Sequence, residues 1–356
     1  MKHPTILLFL ALAALSLIQN AAAQIVYQGE GGIGAGKHIV LIASDHEYRS
    51  EETIPALARI LARHYGFKCT VVFGVDPESG EIVPGISNVP GIEALADAEL
   101  MVIFARFQDW PPEQMQSLVA YLERGGPVVG LRTATHSFKI PAEGTFAKYD
   151  YRYSGADYEK GFGRQVLGET WAGHYGKNHE QSTRLEIVGN NAGHPVMRGV
   201  TDVHVQSGGY FTEPVAGSII LAMTQPLNGM SADSPVDETK PPTPGAWVRT
   251  YKSPSGTPGR VFTTTAGASE DLLNEGFRRM LVNGCLWAIG LEGAIENDSE
   301  IAFVGPYHPN AFSGGKIPRG VKPADLAGWD SPIFAEDVEI IDRPKKQKAK
   351  KKAAEK

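Results

Sequence analysis

Four short, mostly apolar runs, at residues 39–43, 69–73, 100–105 and 127–131, constrain this chain more than any other feature. Runs of this length without polar alternation suit strands buried on both faces of a parallel sheet. Between the first two lies a helical stripe of Ile54, Leu57, Leu61 and His64, which Ser50 can cap and Gly66 can end, with Pro55 tolerated in the first turns. Between the last two lies a second stripe, Met115, Leu118, Val119 and Leu122, stopped by Gly125-Gly126. Strand and helix alternating in this order predict βαβ units with right-handed crossovers, hence an α/β fold with a mainly parallel sheet and helices on both faces. The 40 Gly and 24 Pro exclude a helical bundle or coiled coil.

The flanks read differently. Lys2 and His3, an apolar run over 6–18 and Ala21-Ala22-Ala23 have the layout of a secretory signal peptide over 1–23, with export to the periplasm or beyond expected and an uncleaved anchor as the alternative. No later stretch approaches the roughly 20 apolar residues of a membrane-spanning helix. Residues 24–36 read as a Gly-rich linker, and 149–244 show weak periodicity. Residues 247–251 and 261–265 alternate like a β-hairpin across the turn residues 253–259. A closing helix is expected over 272–289, with Phe277, Met280, Leu281 and Trp287 inward, so that 37–292 form one domain. Beyond it come an irregular extension at 293–344 and a disordered Lys-rich tail at 345–356. Cys69 and Cys285 both sit among apolar neighbours and read as free core thiols.

Charge narrows the partners. The net charge of −6 includes seven Lys and one Glu in the tail, which leaves −12 on residues 1–344. An acidic body argues against nucleic acid, whose binding relies on Lys and Arg neutralising phosphates; the tail alone suits polyanionic envelope material.

In open α/β sheets ligands collect beyond the carboxyl ends of the strands. There the first run delivers Asp45, His46, Glu47 and Arg49, the third Arg106 and Asp109, and the fourth Arg132, Thr133, Thr135 and His136. Two histidines, carboxylates and arginines can bind a polyhydroxylated or carboxylated ligand and move protons. The competing reading is that the arginines pair with Asp45, Glu47 and Asp109 to hold the loops. A second polar cluster, Trp171 to Glu180 with His174 and His179, followed by His194 and His204, raises a divalent metal as a candidate cofactor, although its spacing is not that of a helical zinc motif. The glycines at 31–36 precede the first strand rather than follow it, and no P-loop or Gly-x-Ser-x-Gly elbow occurs.

Several ordered motifs resemble the ThuA-like (trehalose utilisation) family. They are Asp45-His46-Glu47-Tyr48-Arg49; the run Glu123-Arg124-Gly125-Gly126-Pro127 into Gly130-Leu131-Arg132-Thr133-Ala134-Thr135-His136; His194-Pro195 with Arg198-Gly199; and Gly259 to Thr265 running into Arg278 to Ala288. The likeness covers residues 37–291, and the segment Gly305-Pro306-Tyr307-His308-Pro309 to Pro323 looks like one that accompanies exported members. The resemblance implies a flavodoxin-like fold similar to class I glutamine amidotransferases. In those relatives the elbow after the fourth strand carries a catalytic Cys; here that position is Arg132, which cannot form an acyl intermediate, so glutaminase chemistry is excluded. Near Ser207-Gly208-Gly209-Tyr210 the family's acidic pair is missing, with Glu213 the nearest replacement, and its Gly-His is Gly267-Ala268 here.

The resemblance further implies sugar catabolism and a small-molecule sugar ligand oxidised to a 3-keto form. The expected chemistry is proton transfer α to the carbonyl, by an isomerase, lyase or hydrolase. His136 or His46 would be the base, Glu47 its partner and Arg132 the stabiliser of the enolate oxygen, with Asp45, Tyr48, Arg106, His174 and Tyr210 binding substrate. The alternatives are a non-catalytic glycan-binding protein and an envelope protein on the same fold.

Overall fold

The computed structural model describes residues 23–334 and 338–342, so the expected leader up to Ala22 and the Lys-rich tail lie outside the described residues. The four predicted strands are present as β2 (His38–Ser44), β3 (Lys68–Phe73), β4 (Leu100–Ala105) and β5 (Val128–Leu131). They lie parallel in the order β3-β2-β4-β5, followed by β10 (Pro258–Thr264), which pairs parallel with β5. Numbered among themselves, these strands run 2-1-3-4-5, so the chain switches direction across the sheet between β2 and β4, the position at which open α/β sheets collect their ligands.

All seven residues of β2 are buried because it is covered on both faces. Ile39, Leu41 and Ala43 enter one core and Val40 and Ile42 the other. The first core packs against α1 (Ser50–Tyr65) and α3 (Glu275–Ala288), the second against α2 (Pro112–Glu123). Helices therefore do cover both faces.

Ser50 is not the cap of α1. That position is Arg49, in the left-handed conformation at φ 61° without a capping side chain, while Ser50 Oγ accepts the Asp45 N–H at 3.0 Å. The strain follows from the tight loop that brings Asp45 to Arg49 back under the sheet edge. Gly66 does end the helix, at φ 83°. The closing helix is also broken: a 3-10 turn, Ser269–Leu273, precedes α3, whose first turn is capped by Asn274 Oδ1 accepting the Phe277 N–H at 2.8 Å.

Three further expectations are corrected. Part of the supposed linker is β1 (Gln24–Gln28), antiparallel to β3 at the sheet edge. The weakly periodic region holds β6 (Thr183–Ile187), β7 (Val203–Val205) and β8 (Ile219–Pro226). The hairpin pairs β9 (Thr243–Lys252) with β10, but within the main sheet, which continues antiparallel through β9-β8-β6-β7 to ten strands. The described part of the extension is irregular apart from β11 (Lys316–Pro318), a 3-10 turn at Pro323–Leu326 and β12 (Ile340–Asp342), yet it buries Ile295, Ile301, Phe312, Leu326 and Ile333 in the first core. Cys69 and Cys285 are free and buried, their thiols pushed up by desolvation.

Candidate functional site

The loops leaving β2, β4 and β5 each contain a non-glycine residue in the left-handed region: Arg49 at φ 61°, Phe107 at φ 52° and Arg132 at φ 44°. Such backbone costs about 1–3 kcal/mol per residue and persists where surrounding contacts fix it. Here it turns three chain-distant segments toward one another beyond the sheet edge.

Their side chains close a circuit. Arg132 lies over the Tyr48 ring at 3.8 Å and the Tyr210 ring at 4.8 Å. Tyr210 meets His174 at 5.6 Å between centroids, His174 meets Trp171 at 5.7 Å, and Trp171 meets His136 at 5.1 Å. His136 packs on Phe107 at 5.0 Å, and Phe107 lies under Arg106 at 4.7 Å. Arg106 Nη1 then forms an ion pair with Glu47 Oε2 and donates to His46 Nε2, both at 2.7 Å, which returns the circuit to the loop bearing Tyr48. The result is a closed ring of side chains, aromatic over most of its length and polar at Arg106, Glu47 and His46, called the cup below.

The protonation states follow from these contacts. A guanidinium only donates, so His46 Nε2 must offer its lone pair to Arg106 and the ring is neutral in this pairing. His136 is 1 % exposed and its pKa is driven well below the ordinary histidine range, first by desolvation and then by Arg106 and Arg132. His174, on the open rim, shifts the same way through partial desolvation and the same two guanidiniums. Tyr48 and Tyr210 are raised by burial, with Arg132 opposing the shift in both.

Arg132 is 0 % exposed and largely committed. Its Nη1 donates to the carbonyls of Gly208 (2.9 Å) and Thr265 (2.8 Å), and Nη2 approaches Asn178 Oδ1 at 3.5 Å. Asn178 Nδ2 donates to the Tyr48 hydroxyl at 2.8 Å. Asp45 is likewise committed: Oδ1 accepts the N–H groups of Glu47 (2.7 Å) and Tyr48 (2.5 Å), and Oδ2 accepts the Thr133 hydroxyl at 2.9 Å. Three buried N–H donors in the circuit have no acceptor among the described residues: Arg106 Nε, Arg132 Nε and Trp171 Nε1.

A model of the family described as "Trehalose utilisation", ThuA, matches residues 40–288. The chain belongs to the ThuA family. Membership points to a role in carbohydrate metabolism and to a small-molecule sugar ligand. Among solved structures, this ThuA-family chain is similar to a putative ThuA-like protein from Parabacteroides merdae ATCC 43184, at 14% identity and a TM-score of 0.41, over 78% of this chain and 97% of that one. Another from Bacteroides uniformis ATCC 8492 is 12% identical, with a TM-score of 0.43 over 76% and 98% of the two chains. No curated protein matches.

Of the residues singled out in the sequence, His46, Glu47, Tyr48, Arg106, Arg132, His136, His174 and Tyr210 meet in the ThuA-family cup, while Asp45 underpins its loop. The loop-pairing reading holds only for Arg106 with Glu47: Arg49 turns away to Glu51 and Glu52. Asp109 lies outside the cup, its N–H bonded to Ser87 Oγ at 3.0 Å. His179 leaves the histidine cluster and stacks on Phe312. Among the described residues, no group of three or more His, Cys, Asp or Glu is placed to hold a metal ion, and no helix is long and apolar enough to cross a membrane. Phe107, Trp171 and Asn178 escaped attention as site residues. Phe107 had a signal in its position directly after Arg106 at a strand end, and Trp171 in opening the histidine cluster.

Proposed function

We propose that the cup binds a keto sugar, such as a disaccharide oxidised at the 3-position, and transfers a proton at the carbon α to the carbonyl. The observation that carries this reading is the set of three buried N–H donors without acceptors, Arg106 Nε, Arg132 Nε and Trp171 Nε1, within an aromatic wall. An unmet buried donor costs free energy, and a ligand rich in carbonyl and hydroxyl oxygens supplies what these lack. Aromatic faces suit the C–H face of a sugar ring.

The geometry favours a division of roles different from the one first expected. Glu47 is the better base, because its second oxygen stays outside the Arg106 pair while His46 Nε2 is occupied. A proton removed from the α carbon passes to Glu47, and the electron pair moves onto the carbonyl oxygen as an enolate. Arg106, fixed beside Glu47, is the cation placed to stabilise that charge. His136, held neutral, orients a hydroxyl rather than carrying charge. Arg132 holds Tyr48 and Tyr210 and offers the ligand its Nε–H alone.

The test is product analysis by mass spectrometry and NMR after incubating the protein, with and without divalent metal, with 3-keto disaccharides. Glu47→Gln should lower turnover by about 10²-fold or more, the scale of general-base catalysis. A rate unchanged in Glu47→Gln overturns the assignment. His136→Ala should lose activity mainly through KM. A second reading, sugar binding without turnover, is favoured by Arg132 being spent on backbone carbonyls and by Ala268 standing in the family's His position. Binding in a thermal-shift assay with no product decides for it. Export through the N-terminal segment and docking of the Lys-rich tail on envelope polyanions belong to the same proposal; fractionating cells that express the full and tail-deleted chains tests both.

A further inference from the structure

Residues 308–315 lie beyond the family match, which ends at 288, yet they stand against the same cup. The Phe312 ring, 1 % exposed, lies 5.1 Å from Tyr48 and stacks on His179 at 4.4 Å with 26° between planes. Gly314 comes up to the polar side, where a Cβ on it would sit 3.5 Å from Glu47 Cγ. The segment is fastened to the loop and helix behind the cup. Asn310 N–H and Nδ2 donate to the two oxygens of buried Glu52 at 2.8 and 3.0 Å, Ser269 Oγ donates to the Asn310 carbonyl at 2.8 Å, and Phe312 N–H donates to Glu270 Oε2 at 3.4 Å.

The glycine at 314 is explained neither by its backbone, which is not left-handed, nor by crowding, since a Cβ would make an ordinary contact. A larger side chain there would instead fill the space over Glu47. We infer that residues 308–315 form a wall of the cup, and that Phe312 and Gly314 set how large a ligand reaches Glu47. The wall stands on contacts alone; the nature of the ligand it sizes rests on the reading under Proposed function.

Two variants act in opposite directions. Gly314→Leu, at an exposed position that leaves the packing of the extension intact, narrows the cup; Phe312→Ala opens it. The first readout needs no sugar: carbodiimide-driven amidation of Glu47 and carbethoxylation of His179, each measured by peptide mass spectrometry. Glu47 should label several-fold more slowly in Gly314→Leu, and His179 several-fold faster in Phe312→Ala. Labelling that matches the unaltered protein in both variants overturns the wall. The second readout compares 3-keto-trehalose with 3-keto-glucose. Gly314→Leu should lower kcat/KM for the disaccharide by about tenfold relative to the monosaccharide, and Phe312→Ala should shift the ratio the other way. A ratio unchanged in both overturns the sizing role. If the unaltered protein neither binds nor converts either sugar, the functional reading fails, and labelling alone decides the wall.

Discussion

Arg132 shows how one residue can be read correctly for place and incompletely for role. Its position at the strand-to-turn elbow after β5 was legible, and so was the loss of a nucleophile there. What the sequence did not show is that its guanidinium is spent inward on two carbonyls between two tyrosine rings, because Gly208 and Thr265 reach it only through the tertiary fold. Arg132→Ala would leave those carbonyls without donors and a cavity beside them, at a cost of about 3–5 kcal/mol. Arg132→Lys should still lose about half of that, since an ammonium cannot reproduce the flat fork between the rings. Urea denaturation of both variants checks this, and a change under about 1 kcal/mol would contradict it. Glu52 makes a second residue-scale prediction. Desolvation first, then the neighbouring Glu51, pushes its carboxyl up to about 8, with Asn310 and Arg49 opposing. A carboxyl raised on folding binds more protons folded than unfolded, so its stabilising state is complete below the unfolded value near 4.5 and is lost as pH rises through about 8. The melting temperature should fall between about pH 5 and 8, and fall less in Glu52→Gln.

At the scale of elements, the parallel strands and the β9–β10 hairpin were legible and the rest of the antiparallel half was not, for one physical reason. A strand covered on both faces must be apolar throughout, as in β2 and β4, and such runs stand out against any background. Strands β6 and β7 are short and covered on alternate residues, with patterns indistinguishable from loop over so few positions, and β1 is five residues set before a glycine run. The cup followed the same divide. Residues at the ends of legible strands were found apart from Phe107, and His174 and Tyr210 were reached through local motifs, whereas Phe312, Asn178 and Trp171 come from segments without periodicity. Gly66 carries an element-scale prediction. At φ 83°, with a Cβ placed 1.5 Å from the Gly31 carbonyl oxygen, it is the one residue type that lets α1 end against the glycine run. Gly66→Ala should destabilise by about 2 kcal/mol or more, through left-handed strain and displacement of that run. Thermal melts beside a Gly36→Ala control, where φ is positive but nothing lies within 4 Å, separate clash from strain.

Across the whole molecule, the extension is part of the body rather than an appendage. It contributes Ile295, Ile301, Phe312, Leu326 and Ile333 to the core that also holds α1 and α3. Truncation after Leu291 would expose that surface and strip partners from Arg59, so the shortened chain should be recovered mostly insoluble or melt far below the full chain. Cys69 and Cys285 report on the same integrity. Both thiols are buried and disfavoured from ionising, so Ellman's reagent should meet neither until the molecule opens globally. Rapid reaction in the native protein would show that this core opens locally.

Arg59 ties the two halves of that body together. It is fully buried in the middle of α1, donating through Nε to the Tyr27 hydroxyl at 3.2 Å and through Nη2 to the Leu326 carbonyl at 2.9 Å, while Tyr27 itself donates to Leu326. One cation thus joins the first strand to a residue 299 positions later in the chain. During synthesis that charge must wait, hydrated, until residue 326 has been made, so the helix bearing it cannot reach its final burial while the chain is still growing. Premature release or stalling before that point would leave a sheet with its first helix half seated, a state open to proteolysis and to aggregation through the apolar surface left uncovered.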